Sequence, residues 1–152
     1  MIQRIQTIWF FLGAVAISLL LVIPFVSKVI NESEYWVNTI GLYQQTNGQA
    51  VKVAPHLPLT ILTVASAVML LLTIFSYKNR TQQKRAAFGA IILIVVLSIL
   101  TYSYLGRFPG GLEGVTYKLG AFLPLISIIF IGLGVRGINN DEKLIKSADR
   151  LR

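Results

Sequence analysis

Leu57-Pro58-Leu59-Thr60-Ile61-Leu62-Thr63-Val64-Ala65-Ser66-Ala67-Val68-Met69-Leu70-Leu71-Leu72-Thr73-Ile74-Phe75-Ser76-Tyr77 is the stretch on which the fold turns. It runs 21 residues without a Lys, Arg, Asp or Glu. A helix needs about 17–25 such residues to cross the hydrocarbon core of a bilayer. Three further uncharged runs flank it, at 8–26, 86–105 and 119–135. All 20 charged side chains lie outside these four runs.

The composition agrees with that reading. Of the 152 residues, 55% are hydrophobic and 13% charged, and mean hydropathy is +0.69. A soluble domain carries about 25% charged residues, so a soluble enzyme, a DNA-binding domain and a disordered chain are excluded as leading readings. The expected class is an all-α membrane protein. Its architecture is a four-helix transmembrane bundle with a small β-hairpin or sheet cap on the outer side and a short cytoplasmic amphipathic helix. A single domain, 1–152, holds the four spans, outer loops at 27–56 and 106–118, and a tail at 136–152.

Lys and Arg near span ends tend to remain cytoplasmic. Arg4, the connection 78–85 and the tail together hold 10 of the 14 Lys and Arg; Lys28, Lys52, Arg107 and Lys118 make up the rest. Both termini are therefore expected in the cytoplasm, in a multi-pass protein of the cell inner membrane. This placement also accounts for the net charge of +8, because basic residues beside anionic headgroups gain about 1 kcal/mol each. Membrane lipids are the implied partners, and nucleic acid is not. The first apolar run exceeds the h-region of a signal peptide, so an uncleaved anchor is expected.

The connections carry their own signals. Glu34–Ile40 is rich in β-branched and aromatic residues, and Asn47-Gly48 separates two strand-like runs, 42–46 and 49–53. An Asn-Gly pair in that setting marks a hairpin, since both residues tolerate positive φ. Val115-Thr116-Tyr117 is a candidate extra strand. Pro124, inside the fourth run, is expected to bend it. Asn140 reads as the N-cap of a separate tail helix whose Leu144, Ala148 and Leu151 share one face, with Arg150 in the last turn.

Chemistry-bearing residues are few. No run contains an ionised side chain, which counts against proton-coupled transport and voltage sensing. With no Cys and one His, thiol redox chemistry, bis-histidine haem ligation and an H-E-x-x-H zinc motif are out of reach. His56 is expected at a water boundary. Gly132-x-Gly134 permits close helix approach. Trp9, Trp36, Tyr77, Tyr102, Tyr104 and Tyr117 fall near run ends, as an interfacial belt would. No catalytic, metal or cofactor-binding residue is assigned, and no cofactor is expected. The expected function is a non-enzymatic accessory subunit of a larger inner-membrane complex, in contact with other integral membrane proteins. Its contact residues would be Trp36, Tyr43, Leu144, Ala148, Arg150 and Leu151. The alternatives are a module binding a lipid, quinone or other apolar small-molecule ligand, and a transporter of neutral solutes.

Two stretches carry a resemblance. The opening Met1-Ile2-Gln3-Arg4-Ile5-Gln6-Thr7 and the closing Arg136-Gly137-Ile138 with Asp141–Arg152 resemble a family of small membrane proteins of unknown function from Bacteroidota. Gly41-Leu42-Tyr43 and Tyr77-Lys78-Asn79-Arg80 are similar to it as well. The resemblance implies an inner-membrane, four-helix protein and no assigned activity. Trp36 with Gly41-Leu42-Tyr43 is also similar to the Trp…Gly-Leu-Trp signature of claudin-like tetraspan proteins, which implies a β-structured first outer loop.

Overall fold

A computed structural model describes residues 3–30, 33–46 and 48–149. Helix α1 (Gln3–Ser18) leads through a 3-10 turn at Leu19–Leu21 into four strands: β1 (Val26–Ile30), β2 (Ser33–Val37), β3 (Gly41–Thr46) and β4 (Gln49–Pro55). Helices α2 (Leu57–Phe75) and α3 (Arg80–Leu105) follow, then the two-residue β5 (Thr116–Tyr117) and α4 (Leu123–Asp149). The strands form one antiparallel sheet in the order β4-β3-β2-β1-β5.

The sheet corrects the all-α class. Five paired strands stand beside four helices, and buried Val26, Val37 and Leu42 tie the sheet to the common core. Strand β1 went unread because 19–26 is a continuous apolar run, and hydropathy alone does not separate a buried strand from a helix end. The last helical amides are those of Val22 and Ile23, which both donate to Leu19 O; Pro24, which lacks an amide donor, then lies between this turn and β1. The expected strands at 34–40, 42–46, 49–53 and 115–117 have counterparts in β2, β3, β4 and β5. Thr46 pairs with Gln49, and Gly48 takes φ 80° in the turn; Asn47 lies outside the described residues.

Each helix buries a narrow stripe. The positions are 6, 10, 13, 17 and 20 at the start of the chain, where Ala14 and Ala16 are buried as well, and 59, 63, 66, 70 and 73 on α2. On α3 they are 83, 87, 90, 94, 97 and 101, and on α4 they are 123, 127, 131, 134, 138 and 141. Steps of three and four keep one seam of each helix against its neighbours. Helix α1 packs against α2 and α4, α2 against α3, and α3 against α4, closing a ring whose thinnest seam is α3–α4. The stripes are unusual for a water-soluble bundle. Thr63, Ser66 and Thr73 are buried while Ile61, Val64, Val68, Leu71, Leu72 and Phe75 of the same helix are exposed. The buried hydroxyls donate to carbonyls one turn back, Thr63 to Leu59 at 2.7 Å and Thr73 to Met69 at 2.8 Å.

Helix α4 corrects two expectations. It starts at Leu123, so Pro124 lies in the first turn, where no amide donor is needed, rather than inside the helix. It then continues without a break through 136–149, so the tail is not a separate amphipathic helix and Asn140 caps nothing. The reason is contact with α1. Gly137 accommodates the Gln6 side chain, Ile138 is fully buried, and Asp141 is 7% exposed. Gln6 Nε2 donates to Asp141 Oδ2. On the other flank Lys84 Nζ reaches Glu142 at 2.9 Å and Asn139 Oδ1 at 3.4 Å.

Candidate functional site

The sheet closes the bundle end where α1 and α3 finish and α2 and α4 begin. The β2–β3 turn makes the joint. Asn38 Oδ1 accepts from the Ile40 and Gly41 amides at 2.9 and 3.0 Å, holding the turn. Thr39 Oγ1 donates to Leu20 O at 2.8 Å, and Asn38 Nδ2 to Leu21 O at 3.3 Å. These carbonyls at the helix end would otherwise lack partners. Thr60 Oγ1 of α2 donates back to Thr39 O at 2.8 Å.

One sheet face turns to the bundle and the other away from it. Trp36 and Tyr43 are register partners, and their rings stack at 5.7 Å with planes 6° apart. Both are half-buried. A shallow groove beside them is lined by Ser27, Glu34, Trp36, Gln45 and Lys118 among others. Among the described residues strand β4 pairs with β3 alone, and Val51 and Val53 on it are 61% and 51% exposed.

Two recesses lie beneath the sheet. The larger, about 330 Å³, opens the sheet-side half of the α3–α4 seam between Ser98, Thr101, Tyr102 and Leu105 on one side and Pro124, Leu125 and Ile128 on the other. Phe25, Val26 and Tyr117 form its end. Its interior hydroxyls are already used, Ser98 on Ile94 O at 2.9 Å and Thr101 on Leu97 O at 2.8 Å. The smaller, about 200 Å³, is lined by Val37, Leu42, Ala54, Pro55, His56, Tyr104, Arg107 and Phe108.

His56 is buried rather than at a water boundary, with 7% exposure. Its ring meets Tyr104 at 4.6 Å, and its Nδ1 is sealed off without a hydrogen-bond partner. Burial, chiefly, holds its pKa below the ordinary 6.5; a backbone hydrogen bond at Asn38 opposes this and the Lys52 charge adds to it. Among the described residues no three His, Asp or Glu side chains gather to hold a metal.

The expected contact residues separate into two groups. The structure brings Trp36 and Tyr43 together on the sheet. Leu144 is at the opposite end of the molecule, 58% exposed on α4. The side chain of Ala148, and Arg150 and Leu151 entirely, lie outside the described residues. Sequence reasoning missed Asp141, His56 with Tyr104 and Arg107, and Gln6. For Asp141 the signal was present: Gly134, Ile138 and Asp141 fall at i, i+4 and i+7, so the core stripe passes the end of the apolar run.

These features define a ring of four helices closed at one end by an antiparallel sheet, three of its helices (Leu57–Lys78, Arg80–Leu105 and Leu123–Leu144) being long and apolar enough to cross a membrane. A family model, the domain of unknown function DUF4293, matches residues 2–151, and the chain belongs to that family. Among curated proteins the chain has no match.

Proposed function

We propose that the chain is a four-span inner-membrane protein, of the Bacteroidota kind its ends resemble, that presents its sheet outside the cytoplasm as a non-enzymatic contact surface for a larger membrane complex. The inverted burial supports the membrane setting. Thr and Ser sit inside while Ile, Val, Leu and Phe face out, which is stable in lipid and unstable in water. Helix α1 is shorter, with its apolar part at Ile5–Leu21. It packs alongside α2 and α4, so it shares their path. The basic residues of 78–85, with Arg136 and Lys143 on α4, lie toward the end away from the sheet, which favours both termini inside.

The observation that carries the contact role is the open edge of β4. An edge strand offers unpaired amides and carbonyls to a partner strand. Val51 and Val53 are exposed on that strand, and Lys52 between them is the register partner of Tyr43 in the Trp36–Tyr43 stack. Lys52 and Pro55 on the same strand discourage indiscriminate pairing. The tail is no longer the favoured surface, since Gln6, Asp141, Lys84 and Glu142 hold the emerging part of α4 to its own bundle. A photo-crosslinking residue at Val51 tests the proposal in native membranes. One discrete protein adduct, absent when the crosslinker sits at Leu144, is the expected result; no adduct from Val51 contradicts it.

The α3–α4 crevice favours a second reading, a module that holds an apolar ligand. Its Ser98 and Thr101 hydroxyls are spent on their own helix and most of the remaining lining is apolar, so it suits an apolar chain better than a polar ligand. Native mass spectrometry from mild detergent would then show a retained lipid or quinone that Ala121→Phe displaces. Equal retention in both forms contradicts this reading.

A further inference from the structure

The smaller recess beneath the sheet is lined by His56, Tyr104 and Arg107 together with apolar side chains. Three polar side chains line it, and each has at least one polar atom without a partner among the described residues. The Arg107 guanidinium and the Tyr104 hydroxyl make no hydrogen bond or ion pair among the described residues, and His56 Nδ1 is buried without a partner. Of the three, His56 Nδ1 is taken out of water, where polar groups are normally paired; Tyr104 is half-buried and Arg107 exposed at the mouth. An orphaned ring nitrogen beside a free hydroxyl and a free guanidinium, around a cavity of about 200 Å³, marks a place where a ligand completes the network. The remaining wall is apolar, with Val37 and Leu42 from the sheet and Phe108 from the turn after α3.

We propose that this recess is a binding site for a small organic carboxylate with a compact apolar body. Arg107 would take the carboxylate in a charge-assisted, two-pronged bond, and the Tyr104 hydroxyl would donate to the same group. Val37, Leu42 and Phe108 would cover the apolar part. No acidic side chain lines the recess, and Lys52 lies close enough to His56 to act on its charge, so the local field favours an anion. The apolar wall disfavours a multiply charged anion such as phosphate, whose desolvation would go uncompensated. The volume is below the range of about 300–1,000 Å³ that suits drug-sized ligands, which restricts the ligand to a few heavy atoms. This inference stands apart from the contact role proposed above and does not require it.

His56 is the single histidine of the chain, so isotope-labelled histidine gives one ring signal at the site without assignment. The test titrates the full chain in phosphatidylcholine nanodiscs with sodium propionate and sodium benzoate, against sodium chloride and sodium phosphate at equal ionic strength. Expected is a saturable shift of the His56 signal with the carboxylates alone. Arg107→Gln should weaken it roughly tenfold or more, as for loss of a charge-assisted bond. Tyr104→Phe keeps the ring contact with His56 and should weaken binding less. Lys118→Gln, a basic residue outside the recess, should leave it unchanged. No saturable shift, a stronger response to phosphate, or undiminished binding by Arg107→Gln would each overturn the proposal. Arg107 is exposed and supports no other side chain, so its replacement leaves the fold in place for the measurement.

Discussion

Phe10 of α1 lies so close over Gly134 of α4 that a Cβ at position 134 would come within 2.8 Å of the ring. The same seam continues on both sides. Ser127 Oγ donates to Gly13 O at 2.9 Å, and Trp9 stacks on Phe130 at 5.8 Å. In lipid there is little hydrophobic force between helices, so such close approach and hydrogen bonding carry the association.

Gly134→Leu should therefore cost about 1–3 kcal/mol by overpacking. At Gly132 a Cβ would meet nothing within 4 Å, and Gly132→Ala should be neutral or stabilising by up to about 1 kcal/mol. Unfolding midpoints in detergent check both. Equal destabilisation by the two changes would count against the seam described.

Asp141 and Lys84 give a paired prediction at the far end of the bundle. Asp141→Ala leaves the buried Gln6 amide without its acceptor and should cost about 1–3 kcal/mol. Lys84→Met removes a partly exposed ion pair with Glu142 and should cost under about 1 kcal/mol. The same midpoints rank them, and the opposite order would contradict the burial of Asp141.

How much of this was legible in the chain follows from what each signal measures. The four apolar runs mark where helices lie because segregation of charge needs no tertiary information. Gly48 and the strand-like runs around it located the β3–β4 hairpin through local turn chemistry. Strand β1 was hidden because Val26 and its apolar neighbours satisfy a helix end and a buried strand equally. The tail misled for a related reason: charge reappears at Arg136, so the apolar run ends there, while the helix continues on contacts with Gln6 and Lys84 that only the fold creates. Trp36 and Tyr43 could each be named from the sequence as contact residues, but their stacking follows from the β2–β3 register that only the fold sets. The meeting of His56, Tyr104 and Arg107 was not, because residues so far apart in sequence converge only when the sheet folds onto the bundle.

His56 sets the pH response of the joint between sheet and bundle. Its pKa in the folded state is below 6.5, so the unfolded chain binds the proton more tightly. Stability should be fully present above about pH 6.5 and fall as pH drops below that value through the lowered folded pKa. His56→Gln should flatten that dependence. Thermal midpoints between about pH 7.5 and pH 5 test it, and an unchanged slope in the variant would remove His56 as the cause.

The central claim is that the sheet and the α4 terminus face opposite sides of a membrane. The chain has no cysteine, so single replacements report without background. Gln49→Cys on β4 should react with a membrane-impermeant maleimide in sealed cells, and Ser147→Cys near the end of α4 only after permeabilisation. Labelling of Ser147→Cys in sealed cells, or protection of Gln49→Cys, would contradict the account.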